Sequence, residues 1–134
     1  MKPVPVPSPI TEPYWAGARA GRLMIQRCAN CEAVTHPPGA LCPVCWSGVL
    51  EWVEASGRGR VLSATVVHHP PSAAFASPRP YVLAIVRLEE GPQMMANILT
   101  EEPERVRIEM AVRLAFEQRG DFRIPQFVLA DAKG

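Results

Sequence analysis

Hydrophobic and polar residues alternate along much of the second half of the chain, and this pattern predicts β-strands. The alternation predicts strands over residues 49–54, 60–69, 81–88, 93–99, 111–118 and 124–129, separated by turns rich in Gly, Pro and Glu. In the longest strand, strict alternation places Val61, Ser63 and Thr65 on one face and Leu62, Ala64 and Val66 on the other. About five strands after residue 55 suit a small closed barrel such as an OB-fold.

The first half of the chain has a different pattern. In residues 1–10, prolines alternate with valine and serine, which favours an extended, polyproline-like arm. We expect a frayed arm; an arm draped over a partner is the alternative. Thr11, Glu12 and Pro13 are typical of a helix start with a capping hydroxyl, so a helix is predicted over 12–20, ended by Gly21. A strand over 22–27 then leads into Cys28.

Four cysteines lie within 18 residues as two Cys-x-x-Cys pairs. Two residues between cysteines let one tight turn present both sulfurs to one ion, and two such turns complete a tetrahedral set of thiolates. A closed set leaves no open position for a substrate, so a structural metal is expected. The spacing predicts a zinc ribbon with the ligands Cys28, Cys31, Cys42 and Cys45.

Other roles for these cysteines fit the sequence less well. A redox Cys-x-x-Cys occurs once, at a helix start in a βαβ setting that this pattern lacks. A disulfide framework belongs to exported proteins, whereas residues 1–5 begin no secretory signal. No apolar run reaches the roughly 18 residues that a membrane span needs. We therefore expect a cytoplasmic protein. Iron uses the same four thiolates and stays an alternative to zinc.

Composition and charge narrow the function. The chain has 134 residues, a net charge of +1 and 48% hydrophobic residues, as in a small globular domain or a compact domain with a satellite module. Residues 51–134 contain 10 basic and 11 acidic side chains, so their net charge is −1. A barrel that follows a phosphate backbone should be basic, with exposed aromatic residues. Binding of single-stranded nucleic acid is therefore the disfavoured alternative.

The order of the motifs resembles the DUF35 family. The resemblance covers about residues 10–130 and rests on Pro13-Tyr14-Trp15, Gly21-Arg22-Leu23, Gln26-Arg27-Cys28-x-x-Cys31, Pro37-Pro38, Cys42-Pro43-x-Cys45, Glu51-Trp52, Ser56-Gly57-Arg58-Gly59 and Thr65-Val66-Val67-His68. It implies a mainly β protein with a Pro-rich arm (1–10), an N-terminal helix with a rubredoxin-like zinc ribbon (11–54) and a five-stranded OB-fold domain (55–134).

The sequence departs from the family pattern at three positions. Glu32 and Trp46 follow the second cysteine of each pair, where the family often has glycine. Gly39 stands where a basic residue often follows the Pro-Pro pair.

The resemblance also implies a function. Relatives are similar to partners of thiolase-like enzymes, acyltransferases, and steroid side-chain aldolases and hydratases, where they hold or pass a CoA thioester. We therefore expect an acyl-CoA-binding accessory subunit of a hetero-oligomer, co-catalytic or scaffolding, with no activity alone. The sequence contains no Ser-His-Asp set and no phosphate-cradling glycine loop, and it identifies no catalytic residue. A ligand-free bridge between two enzymes is the third possible function.

Six residues are candidates for the CoA thioester. Arginine suits bidentate contacts to phosphate, which selects Arg19, Arg22, Arg58 and Arg79, although each also fits a solvated surface. His68 ends the long strand and either lines the acyl or pantetheine pocket or closes the barrel. Phe75, in a small-residue loop, either caps an acyl chain, docks into a partner or folds back on the barrel.

Overall fold

A small sheet and a closed barrel make up the structure, a computed structural model that describes residues 2–69, 72–75 and 80–130. Helix α1 (Glu12–Arg19) precedes an antiparallel sheet of β1 (Met24–Cys28), β2 (Val34–Thr35) and β3 (Leu50–Glu54), in the order β2-β1-β3. The barrel contains β4 (Arg58–Val67), β5 (Tyr81–Leu88), β6 (Gln93–Ile98), β7 (Ala111–Arg119) and β8 (Phe122–Leu129), in the order β4-β5-β6-β8-β7. Short 3₁₀ helices cover Ala73–Phe75 and Pro103–Arg105. The predicted fold class, with one N-terminal helix and a five-stranded barrel, is confirmed.

The long barrel strand contains a β-bulge that the alternation does not predict. Val61 pairs with Val86 while Ser63 pairs with Ile85, so Leu62 is the extra residue. Past the bulge, Ala64 and Val66 stand opposite the buried Ala84 and Val82, on the same face of β4 as Val61. The predicted face assignment of β4 is therefore wrong beyond Val61.

Side-chain hydrogen bonds support the seam of the barrel where β6 meets β8. β6 and β8 are parallel neighbours with a single paired position, Ile98 and Phe127. Beside it, the Asn97 backbone N–H donates to Gln126 Oε1 (2.6 Å), and Gln126 Nε2 donates to Glu117 Oε1 (2.9 Å). Gln126 is only 3% exposed, so these bonds satisfy a polar group inside the seam.

Residues 2–4 of the proline arm lie on the β7–β8 hairpin, so the prediction of a frayed arm is wrong for these residues. Lys2 Nζ lies 3.1 Å from Glu117 Oε2, and Arg119 Nη1 donates to the Pro3 carbonyl (3.4 Å). A Cβ added at Gly120 would lie 3.2 Å from Val4 Cγ1, which shows how closely the arm approaches the hairpin turn.

Helix α1 has the predicted extent to within one residue, and Gly21 follows it at φ +80°. The predicted hydroxyl cap is wrong, because the Thr11 side chain makes no capping bond. Instead, Thr11 Oγ1 accepts from the Ser8 backbone N–H (2.9 Å).

The hydrophobic core is continuous between sheet and barrel. Tyr14 of α1 and Leu23 and Ile25 of the ribbon belong to the same buried cluster as Val61 and Phe127 of the barrel. The Trp15 ring meets Phe122 of β8 edge to face at 5.9 Å. These contacts fix the ribbon on the barrel.

Candidate metal centre and ligand surfaces

Two turns of nearly identical backbone, here called the knuckles (28–33 and 42–47), carry the four cysteines. In the first, the Cys28 N–H donates to the Ala33 carbonyl (2.8 Å) and the Glu32 N–H to the Cys28 carbonyl (2.9 Å). The second repeats both bonds at 2.8 and 2.9 Å among the equivalent residues Cys42, Ser47 and Trp46. The first knuckle follows strand β1, whereas the residues just before the second form no strand. The loop between the two knuckles is held by Gln26, whose side chain exchanges hydrogen bonds with the backbone of Gly39 (2.9 and 3.0 Å).

The four sulfurs converge as one donor set. Their Sγ atoms all lie within 4.8 Å of one another, with Cys28–Cys45 and Cys31–Cys42 each at 3.6 Å. Zinc–sulfur bonds of about 2.3 Å in a tetrahedron place sulfurs about 3.8 Å apart. The four side chains therefore have the chemistry and spacing of a closed metal site.

Backbone and side-chain donors favour thiolates at the second knuckle. The Asn30 amide and the Ser47 backbone N–H donate to Cys45 and lower its pKa to about 6. The N–H groups of Cys45 and Val44 lower the pKa of Cys42 in the same way. At Cys31 the Ala33 N–H lowers the pKa, but burial and the three neighbouring sulfurs outweigh it and raise the pKa to about 12. A cation at the centre of the set would remove the part of that increase that the sulfurs cause, because it would replace a proton as their partner.

His36 is the one histidine near the ribbon, and it faces the helix. Its ring packs against Tyr14 (5.7 Å between centroids), and burial lowers its pKa. Burial also raises the pKa of Tyr14 to about 12. Both groups therefore stay neutral at physiological pH, as packed core side chains do.

A cavity of about 480 Å³, here called the arginine cavity, opens on the outside of the barrel beside Arg58. Arg60 and Arg87 also line it and stand directly opposite each other on β4 and β5. Arg58 pairs with Glu89 (2.8 Å), which raises the pKa of Arg58 and lowers that of Glu89. Arg60 donates to the Glu109 carbonyl (2.9 Å). Arginine side chains from two strands therefore converge on one opening.

The other CoA candidates lie elsewhere. Arg19 stacks over the Phe122 ring at 5.5 Å and Arg22 is exposed just after α1, and neither lines the cavity beside Arg58. His68 lines a separate cavity with Glu101 and Glu104. Ten residues of strand separate it from Arg58, roughly 30 Å. Phe75 ends a 3₁₀ helix, and its side chain and Arg79 lie outside the described residues. The candidates thus form no single pocket.

The sequence pattern does not predict two features of these surfaces. Arg87 joins the cavity only through the register of β5 against β4, which no local pattern reveals. The second is the exposure of Trp46, which is 75%. The one signal in the sequence is that this tryptophan stands after a cysteine, where the family often has glycine. Among the described residues no helix is long and apolar enough to cross a membrane.

Fold and site together define a protein in which a rubredoxin-like ribbon is joined to an OB-fold barrel. Residues 15–51 match the family model described as the ChsH2 rubredoxin-like zinc ribbon domain, and residues 52–117 match that of the ChsH2 C-terminal OB-fold domain. A DUF35 domain-containing scaffold protein of Pyrococcus furiosus is 36% identical over 81% of this chain and 79% of its own length. The chain belongs to the DUF35 family.

Longer relatives and a solved structure add to this likeness. A probable enoyl-CoA hydratase alpha subunit of Thermomonospora curvata is 42% identical over 85% of this chain. The match covers 35% of that protein, so the chain spans about a third of the hydratase subunit's length. A chain of the Ltp2-ChsH2(DUF35) aldolase superposes with a TM-score of 0.85 and 38% identity, over 96% of this chain and 100% of that one.

Proposed function

We propose that the chain is an accessory subunit of a thiolase-like, hydratase or aldolase enzyme that acts on CoA thioesters. The observation that carries this proposal is the likeness, over the whole length of the solved chain, to the Ltp2-ChsH2(DUF35) aldolase at 38% identity. The related hydratase alpha subunit points to the same chemistry. On this proposal the catalytic residues belong to the partner, and this chain supports or completes its site.

Zinc is the metal we assign to the four cysteines, in a structural role. Four thiolates fill a tetrahedral shell, so no coordination position remains for a substrate. The metal fixes a ribbon whose own strands are short, one of them only two residues long. Because four reduced thiols are needed as ligands, we assign the protein to the reducing cytoplasm.

For the CoA thioester we propose the arginine cavity as the phosphate-binding end. Like charges directly opposite each other on neighbouring strands are unfavourable, and an anion between Arg60 and Arg87 removes that repulsion. The diphosphate and ribose phosphate of CoA are suitable anions, since arginine binds phosphate in bidentate fashion. Of the sequence candidates, Arg58 fits this role best.

Binding of single-stranded nucleic acid has less support. Such a barrel presents aromatic side chains as stacking platforms. The aromatic residues of the described barrel strands are buried or half-buried, namely Tyr81, Phe116, Phe122 and Phe127. A ligand-free bridge between two enzymes would differ from the proposed accessory subunit only in binding no CoA thioester, so measuring that binding distinguishes the two.

The test combines the protein with the Ltp2 subunit of the solved aldolase and titrates the complex with acetyl-CoA by calorimetry. We expect a stable complex, and Arg87→Gln to weaken acetyl-CoA binding about tenfold. Arg22→Gln is the matched control, an exposed arginine outside the cavity, and should change affinity little. No complex would refute the accessory role. A complex that binds no acetyl-CoA would leave the bridge as the function.

A further inference from the structure

Large exposed apolar side chains flank the sulfurs of the second knuckle. Four large apolar side chains within nine residues are at least half exposed: Leu41 (50%), Val44 (66%), Trp46 (75%) and Val49 (64%). The two ends of this segment meet, since a Cβ at Gly48 would lie 3.7 Å from Leu41 Cδ2. We call these four residues the ribbon tip. Exposed apolar side chains clustered within so short a segment are typical of interaction sites.

The backbone conformation at Trp46 is unfavourable for a residue that has a Cβ atom. Its φ is +68°, in the left-handed region where a Cβ is costly and glycine is preferred. The indole is 75% exposed, so burial within this chain does little to offset the strain. Strain of this kind at a side chain that the fold does not need points to a function outside the fold.

The first knuckle shows what the same backbone carries elsewhere. Glu32 holds the equivalent position at φ +67°, but it is charged and pairs with Arg27 (2.8 Å). Around the ribbon tip, by contrast, residues 33–50 contain no Asp, Glu, Lys or Arg. A segment without charged side chains does not suit a phosphate backbone or an acidic ligand; it suits an uncharged, apolar protein surface.

We propose that the ribbon tip docks onto the catalytic subunit, with the Trp46 indole inserted into an uncharged apolar pocket of that subunit. This rests on the proposed accessory function. An indole three-quarters exposed offers on the order of 190 Å² of surface, since a tryptophan side chain can bury up to about 250 Å². Tryptophans that fill pockets at the centre of an interface dominate its binding energy.

The test compares Trp46→Gly with Glu32→Gly, which makes the same backbone change on the other knuckle. Binding of the Ltp2 aldolase subunit is measured by calorimetry, with metal content and thermal unfolding measured on each variant alone. We expect Trp46→Gly to keep its metal, to unfold at no lower temperature than the unchanged protein, and to lose at least about 30-fold in affinity. Glu32→Gly should bind within about threefold of the unchanged protein.

Equal binding by Trp46→Gly and the unchanged protein would overturn the docking proposal and leave the accessory function intact. No binding by the unchanged protein would overturn both. Loss of metal or fold in Trp46→Gly, repeated in Trp46→Asn, would make Trp46 a structural residue, because asparagine also tolerates this conformation. Self-association abolished by Trp46→Gly would make a second copy the occupant and likewise refute the proposal.

Discussion

At the scale of single residues, Glu117 connects three parts of the molecule. Its carboxylate accepts from Lys2 of the arm (3.1 Å), from Gln126 in the β6–β8 seam (2.9 Å) and from Arg119 of its own strand (3.2 Å). Burial alone would raise the pKa of Glu117, but the bonds from Lys2 and Gln126 and the charge of Arg119 lower it below the usual 4.5. The ionised carboxylate is therefore the form that the fold stabilises.

Removing this charge should cost stability in a pH-dependent way. We expect Glu117→Gln to lower the free energy of unfolding by about 1–2 kcal/mol at neutral pH, because hydrogen bonds to a charged group are lost. A lowered folded pKa gives a contribution that is complete above about pH 4.5 and disappears as the pH falls through the folded value. Urea unfolding of both proteins from pH 3 to pH 7 checks this. Glu54→Gln, at an exposed carboxylate, is the control, and an equal loss there would contradict the argument.

At the scale of elements, β4 determines the shape of the barrel. Its bulge at Leu62 changes which side chains face inward, and its Gly59 allows close approach to β5. A Cβ at Gly59 would lie 2.6 Å from the Arg87 carbonyl oxygen and 2.8 Å from Val86 Cγ1. The carbonyl belongs to the β4–β5 ladder and cannot move without disturbing it.

Gly59→Ala should therefore destabilise the barrel by about 1–3 kcal/mol, the usual cost of forcing an extra methyl group into a packed site. Urea denaturation measures the change. Gly39→Ala is the matched control, since its Cβ would meet only the Leu41 carbonyl at 3.7 Å. Equal stability of the Gly59 variant and the unchanged protein would show that the strands separate to accept the methyl group.

The same element shows which features a sequence can reveal. Alternation located all five barrel strands, and local spacing located the four cysteines, because both signals lie within a few residues. The bulge at Leu62 and the approach of Arg87 to Arg60 depend on pairing between strands more than 20 residues apart. No pattern predicts β2, because a strand of two residues shows no periodicity. The composition of the arm does not predict its contacts, because partners such as Lys2 and Glu117 are distant in sequence.

At the scale of the whole molecule, the continuous core couples the ribbon to the barrel. Tyr14, Leu23 and Ile25 pack in the same cluster as the barrel residues, and the Ala55 N–H donates to the Leu23 carbonyl (2.8 Å). A metal that stabilises the ribbon should therefore stabilise the barrel as well.

We expect the zinc-loaded protein to unfold in one transition, with zinc release and loss of near-ultraviolet circular dichroism at the same temperature. Removing the metal with a chelator should move the whole transition to lower temperature. A colorimetric zinc indicator and circular dichroism recorded in one heating experiment provide the check. Zinc release well before the barrel unfolds would mean that the ribbon unfolds independently.

The two knuckles also have a consequence for how such a protein can change over time. Both present two cysteine sulfurs to the donor set through the same backbone bonds, so the side chains at 32 and 46 are not part of that set. Substitutions at these two positions can therefore alter what the surface recognises while metal retention stays constant. In a chain of 134 residues, the cysteines and the knuckle backbone must therefore be preserved, whereas positions 32 and 46 are open to selection for a new partner.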